Sequence, residues 1–398
     1  MQVAPHDLQG LLTPFDAETF LRTCWGQKFL HVPGTPGKFS ELLPWPVLNR
    51  ILEQHRLDHP RMRLTREGQP VPTSFYLSHQ TNRRRPNLPI PRVKAAELTR
   101  ELRAGATLVL DAVDELHPPV TEIAESLERL FRVRIQVNAY AGWRTSHGFD
   151  LHWDDHDVFI LQVAGRKQWK VYGMTRKYPL SVDVEPTVEK PDTPLWEGML
   201  EDGDLLYIPR GWWHVATPLD EPTLHLTVGV NNVTGVDLLS WFVNRMRSNE
   251  DVRRDLPQFA SNDEQTALME RLRQILIEEW RPELLDQYLA DLDARSQPRA
   301  RMNLPWGATP DVLPPPDERF CVRWSSARRP KVTEAHGEIH VVARGRRWRF
   351  AVTAAPLIDK LVSGQSYTVA ELTTDDLAES TVRLFLRELA VNGLIVVV

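Results

Sequence analysis

Cysteine is scarce in this chain, with two in 398 residues, Cys24 and Cys321. They lie far apart and without metal-ligand spacing, which excludes a disulfide framework and a zinc finger. Any metal must then be held by histidine and carboxylate. Long apolar runs are missing as well: no stretch reaches the ~18 residues of a membrane span, and the opening MQVAPHDLQGLL lacks both the basic and the apolar region of a signal peptide. The expectation is a cytoplasmic chain with no membrane partner. Net charge is −5 and the isoelectric point about 6.2, so no global basic field exists for coating nucleic acid, although a local basic patch stays open. Internal repeats are absent. What is present, 42% hydrophobic and 25% charged residues, is a composition that buries a full core.

The chain reads as three parts. The first, residues 1–235, mixes short helices with apolar runs bounded by Gly, Pro and Asp: GATLVLDAV, RIQVNAY, DVFILQV, RKQWKVY, DLLYIP and LHLTVGV. Runs of about 5 to 9 residues with such borders predict an antiparallel sandwich or barrel. The second part, residues 236–304, is nearly free of Gly and Pro, and Leu268, Leu272, Ile275 and Leu276 recur at three- and four-residue steps. Two or three amphipathic helices follow, whose apolar faces suit a homodimer interface. Residues 305–316, PWGATPDVLPPP, read as a linker. Residues 317–398 run hairpin, three helices, strand, an order that suits a small winged-helix domain. The fold class is thus α+β.

Chemistry concentrates between Phe131 and Val233. His152 and Asp154 stand two apart before the apolar run DVFILQV, and His214 follows sixty-two residues later in GDLLYIPRGWWHV. On a strand, positions two apart share a face, so His152 and Asp154 converge while Asp155 points away. Alone this is weak, because a His-x-Asp arises by chance roughly once in such a chain. The apolar context strengthens it, since an unpaired His and Asp in a buried sheet would be costly. A lone buried His214 is more often a hydrogen-bonded core residue. Together the three form the two-histidine, one-carboxylate set that holds Fe(II) and leaves positions open for O2 and a chelating co-substrate.

Lys167 follows a turn at Ala164-Gly165, on a strand where Lys167, Trp169 and Val171 share one face. If that face is inward, the ammonium is buried and needs an anion, for which the far carboxylate of 2-oxoglutarate is suited. If it is outward, Lys167 merely snorkels.

HWDDHDVFILQVAGRKQWKVYG, with GDLLYIPRGWWHVATP and LHLTVGVN downstream, resembles the JmjC/cupin-4 family of Fe(II)- and 2-oxoglutarate-dependent oxygenases, in particular the ribosomal oxygenases. FLRTCWGQKFLHVPG and GATLVLDAVDELHPPV are similar to that family's N-terminal segments. The resemblance implies a double-stranded β-helix, then a helical dimerisation region, then a C-terminal winged helix. It implies His152, Asp154 and His214 as iron ligands, Lys167 as the partner of the co-substrate's C5 carboxylate, and Asn138 as a residue lining the pocket.

Members of that family hydroxylate a side chain of a ribosomal protein, arginine in bacterial representatives and histidine in eukaryotic ones. The Asp-Asp after Trp153 and the lysine at 167 look more like the histidine branch. Two features depart from the family pattern. The segment AGWRTSHGFDL replaces a Pro/Gly-rich loop and is expected to set Trp143, Arg144, His147 and Asp150 near the mouth. His156, by alternation, faces the side of His152 and Asp154 without being a ligand. The Trp-rich surroundings of Trp153, Trp169, Trp212 and Trp213 carry no catalytic role in this reading. The acidic final helix, Asp375 to Asn392, is a poor phosphate partner, whereas RGRRWRF and NRRRP are basic and are either solvated segments or contacts to RNA or protein. The function classes are a protein or peptide hydroxylase, an oxygenase tailoring a peptide natural product or small molecule, and a non-enzymatic interaction protein on a degenerate cupin. Lysine demethylation, which uses the same iron chemistry, ranks below hydroxylation.

Overall fold

The structure is a computed structural model that describes residues 6–82, 85–183, 190–304, 320–374 and 377–398, with the backbone alone for 80–82 and 85–89. The linker at 305–316, the pair Arg83-Arg84 within NRRRP and the pair Asp375-Asp376 lie outside the described residues. The chain divides into two compact units, Met1–Asn232 and Val233–Val398. The helices of the second part and the strands of the third belong to the same unit.

The first unit has five helices, α1 (Leu8–Leu12), α2 (Ala17–Thr23), α3 (Trp45–Gln54), α4 (Ala95–Arg103) and α5 (Pro118–Phe131). Its strands are β1 (Leu30–Val32), β2 (Met62–Arg66), β3 (Gln69–Pro70), β4 (Leu77–Asn82), β5 (Arg85–Val93), β6 (Thr107–Leu110), β7 (Ile135–Gly142), β8 (Asp157–Ala164), β9 (Lys167–Met174), β10 (Trp196–Leu200), β11 (Leu205–Ile208), β12 (Trp212–Pro218) and β13 (Thr223–Val230). An eight-stranded antiparallel sheet runs β1-β11-β8-β13-β7-β6-β2-β3, and a three-stranded sheet runs β10-β9-β12.

Alternation along β8 explains how the sheets pack. Val158 and Ile160 point inward to a shared core with Trp169, Val171, Leu200, Leu206, Ile208 and Trp212, which joins the two sheets face to face. Phe159 points outward into an aromatic cluster with Phe20, Trp25, Phe131 and Tyr207. Helices α2 and α5 therefore cover the outer face. Both faces being covered, β8 reads as a continuous apolar run.

The expectation that His152 stands on a strand is corrected. β8 begins only at Asp157. His152 instead makes an isolated antiparallel bridge to His214, the His152 N–H donating to the His214 carbonyl at 3.2 Å and the His214 N–H to the His152 carbonyl at 2.7 Å. The pairing stops there because the Gly211 N–H takes the Asp154 carbonyl, at 2.8 Å. Alternation therefore says nothing about Asp155 or His156.

The second unit begins with α6 (Gly235–Arg245), α7 (Glu250–Arg253), α8 (Asn262–Glu279) and α9 (Leu284–Arg295). Thr234 with Asp237 and Ser261 with Glu264 form capping boxes that start α6 and α8. These helices share a small core of Phe242, Met246, Ile275 and Leu284. Of the apolar stripe on α8, Ile275 is buried while Leu276 stays exposed. The remaining elements are β14 (Cys321–Trp324), β15 (Lys331–Ala335), β16 (Glu338–Ala343), β17 (Arg346–Ala351), α10 (Ala355–Leu361), β18 (Tyr367–Thr368), α11 (Val369–Leu372), α12 (Glu379–Val391) and β19 (Ile395–Val397). They form sheets β18-β14-β19 and β15-β16-β17 around Trp324, Val341, Leu357, Leu361 and Leu386. Among the described residues no helix is long and apolar enough to cross a membrane.

Candidate metal centre and its cavity

A cavity of about 380 Å³ opens between the two sheets of the first unit. The large sheet contributes Gln136, Asn138 and Tyr140 from β7 and His225, Thr227 and Gly229 from β13, and the small sheet contributes Lys167, Trp169, His214 and Ala216. The segment leading to β8 adds His152, Asp154 and His156.

His152, Asp154 and His214 each offer one ligand atom, and these atoms lie within 4.8 Å of one another, the one such cluster among the described residues. His214 Nε2 is 3.5 Å from Asp154 Oδ2, and His152 Nε2 is 4.0 Å from Asp154 Oδ1. Each imidazole is held by its other nitrogen: His152 Nδ1 donates to the Asp150 carbonyl at 2.7 Å and His214 Nδ1 to the Trp212 carbonyl at 3.0 Å. Both Nε2 lone pairs therefore turn toward Asp154, the tautomer that metal-binding histidines adopt. Burial, aided by His152, pushes His214 down to about 4, which keeps it neutral and able to ligate near neutral pH. Burial opposes ionisation of Asp154, but His214, His152 and His156 outweigh it and hold its pKa below the ordinary carboxylate value. Two imidazoles and one carboxylate suit a divalent first-row metal such as Fe(II).

The corner ahead of His214 is braced by Asp157, whose carboxylate accepts from the Tyr207 hydroxyl and, at 3.0 Å, from the Arg210 N–H. A register shift between Trp212 and His214 then re-aims the chain, as bulges do beside active sites.

Lys167 is 5% exposed. Among the described residues no carboxylate lies within ion-pairing distance of its ammonium and no hydrogen bond reaches it; the Trp169 ring is 5.9 Å away. Burial alone pushes it down to about 7. Asn138 lines the cavity, but its Oδ1 is committed to the Ala112 N–H and to Gln136 Nε2, each at 3.0 Å.

His156 also lines the cavity, with Nδ1 3.0 Å from Asp155 Oδ1, and it is not among the clustered ligand atoms. Of the 141–151 segment only Gly148 and Phe149 reach the cavity. Trp143 instead packs at 5.5 Å from Trp45 beside a separate groove. Arg144 pairs with Asp220, and His147 with Asp150. Of the four tryptophans named from the sequence, Trp169 alone is in the cavity lining. The sequence reading passed over Gln136, Tyr140, His225 and Thr227, although each sits at every second position of RIQVNAY or LHLTVGV.

Two antiparallel sheets packed face to face, with two imidazoles and a carboxylate turned to the cavity between them, make a cupin-like fold. Residues 115–238 match the family model described as the JmjC domain. Among curated proteins, it is 27% identical over 242 residues to a bifunctional lysine-specific demethylase and histidyl-hydroxylase NO66 from Drosophila pseudoobscura pseudoobscura. It is 29% identical over 245 residues to the protein of the same description from Dictyostelium discoideum. The matches cover 57% and 60% of this chain but 23% and 45% of those relatives, so the chain spans less than half the length of either. A solved structure of YcfD, a ribosomal oxygenase from Escherichia coli, covers 97% of this chain and 98% of its own, with a TM-score of 0.60 and 20% identity. YcfD in complex with cobalt and 2-oxoglutarate covers 97% and 99%, with a TM-score of 0.58 and 19% identity. These two show the likeness of fold.

Proposed function

We propose that the chain is an Fe(II)- and 2-oxoglutarate-dependent dioxygenase that hydroxylates a protein side chain, a histidine or arginine of a ribosomal protein. One observation carries the reading: two imidazoles already turned toward a carboxylate share a cavity with a buried lysine that has no counter-ion among the described residues. His152, Asp154 and His214 would hold the iron, and Lys167 the far carboxylate of the co-substrate. When bound, iron with 2-oxoglutarate supplies the O2-dependent oxidation of an unactivated C–H bond.

The residues' own work is binding and orientation. The carbonyls of Asp150 and Trp212 fix the two rings by hydrogen bonds, so no ring rotation is needed when the metal enters. An anion beside Lys167 favours its charged form and so completes its protonation near neutral pH. Val158, Ile160 and Trp169 wall the cavity with apolar surface, which limits water around the reacting groups. Asn138 contributes to the wall through its amide.

The protein substrate is supported by the histidyl-hydroxylase and ribosomal-oxygenase descriptions of the similar proteins. A homodimer is supported by Val236, Leu239, Val243, Met269, Ile277 and Trp280, apolar residues left exposed on α6, α8 and the end of α8. The winged-helix assignment of the C-terminal segment rests on the hairpin β16–β17, the helices α10 to α12 and the closing strand β19; a crystal structure of the full chain tests it. A cytoplasmic site of action follows from a ribosomal substrate, and cell fractionation checks it.

The test is anaerobic addition of Fe(II) and 2-oxoglutarate, followed by the visible metal-to-ligand charge-transfer band. A band in the wild type that is lost in His152→Ala, and that needs far more 2-oxoglutarate in Lys167→Ala, is expected. A folded wild type with no band overturns the oxygenase reading. Turnover of 2-oxoglutarate stimulated by a ribosomal-protein peptide, with a 16 Da gain on it, separates protein hydroxylation from small-molecule tailoring.

A further inference from the structure

His225 lines the cavity and is 3% exposed. It is the direct cross-strand partner of Tyr140, and its ring lies flat against the phenol, with centroids 4.9 Å apart and planes 4° from parallel. Trp169 meets it edge-on at 5.6 Å and 76°. Two aromatic neighbours thus lock the plane of the imidazole. Its Nδ1 is buried with no hydrogen-bond partner among the described residues, and no hydrogen bond reaches its Nε2 either. Burial, reinforced by Lys167, holds its pKa well below the ordinary imidazole value, so the ring is neutral and carries a single N–H.

Which nitrogen carries that proton follows from burial. An orphaned buried N–H is rarer than an orphaned acceptor, and Nδ1 has nothing to donate to. The proton therefore belongs on Nε2, the nitrogen that is not shut off from the cavity. Beside it stands Lys167, whose ammonium form only donates and has no acceptor among the described residues. The two are accordingly a pair of donors with no acceptor between them, and burying such groups unpaired is costly unless a ligand supplies the acceptors.

We propose that His225 is a second anchor for the far carboxylate of a 2-oxo dicarboxylic acid, donating from Nε2 while Lys167 supplies the charge. This rests on the oxygenase reading above. A carboxylate has two oxygens; one is taken by the mobile ammonium and the other by an imidazole whose plane is fixed by Tyr140 and Trp169. The fixed donor sets the depth and rotation of the carboxylate, so the site selects dicarboxylic over monocarboxylic 2-oxo acids.

The experiment compares 2-oxoglutarate with 2-oxopentanoate, which has a methyl group in place of the far carboxylate, in anaerobic binding titrations to the Mn(II)-loaded full chain. In His225→Phe, which keeps a flat ring for Tyr140 to stack on, the Kd for 2-oxoglutarate should rise by about tenfold or more, the worth of a hydrogen bond to a charged group. The Kd for 2-oxopentanoate should stay unchanged. Equal affinity of variant and wild type for 2-oxoglutarate overturns the anchor, as does equal weakening for both acids. Should His225→Phe fail to fold, the wild type answers alone: the imidazole ¹⁵N resonances of the Zn(II)-loaded protein should report the Nε2–H tautomer, with Nε2 shifting on addition of 2-oxoglutarate and not of 2-oxopentanoate. An Nδ1–H tautomer refutes the proposal. A wild type that loads metal and binds neither acid sinks the oxygenase reading and the anchor with it, a result distinct from a wild type that binds and a variant that binds equally well.

Discussion

Replacing Lys167 with methionine should make the metal-free, ligand-free protein more stable near neutral pH. Methionine keeps the apolar stem that packs in the cavity wall and removes an ammonium that is 5% exposed and has no counter-ion among the described residues. Burial lowers Lys167 from 10.5 to about 7. Between those two values the unfolded chain binds a proton that the folded chain does not, so the lysine's penalty is largest at and below pH 7 and fades as pH rises toward 10.5. With about 1.4 kcal/mol per pKa unit, the penalty is on the order of 4 kcal/mol at pH 7 and about 2 kcal/mol at pH 9.

The assay is urea unfolding of wild type and Lys167→Met at both pH values, read by far-ultraviolet circular dichroism and tryptophan fluorescence. Taking the difference between the two proteins removes every other titrating group except His225, whose pKa Lys167 also lowers. The variant should be the more stable at pH 7, with an advantage that shrinks by about half at pH 9, and it should lose tight 2-oxoglutarate binding. A variant less stable than wild type at pH 7, or a difference of the same size at both pH values, would refute the claim that Lys167 waits unpaired for an anion.

Two further outcomes follow from the backbone and the surface. Gly165 sits at φ +65°, and a Cβ there would come within 2.0 Å of the Pro222 carbonyl oxygen, so Gly165→Ala should cost at least ~2 kcal/mol in urea unfolding; unchanged stability would contradict the contact. Sedimentation velocity should show a species of twice the 45.8 kDa chain mass that Leu239→Asp converts to monomer, and a single species at monomer mass in the wild type would count against the dimer.

The grouping of His152, Asp154 and His214 was legible in the sequence because few packing needs put His-x-Asp and a second histidine next to apolar runs. Their geometry was not. The reading put His152 and Asp154 on a strand, whereas His152 holds its place through two hydrogen bonds to His214, a long-range pairing that no local pattern reveals. Which tryptophan lines the cavity was hidden for the same reason, since strand and side must both be known before Trp169 can be told from Trp212 and Trp213. His225 was hidden differently. In LHLTVGV a single histidine among aliphatics reads as core, and only the register that sets it opposite Tyr140 gives the ring a neighbour and a role.

Register also explains why one turn matters to the whole site. The hairpin at Gly165 sets how β9 begins, and β9 carries Lys167 and Trp169 on its inner face while pairing Val171 with His214 on β12. Slipping that strand by one residue would turn Lys167 and Trp169 out of the cavity together, because side chains alternate with a period of two. His214 and Lys167 are therefore coupled through the backbone of one small sheet. A substitution at the turn that leaves the protein folded should weaken co-substrate binding through Lys167 before it disturbs His214, which pairs with Val171 further along β9 from the turn.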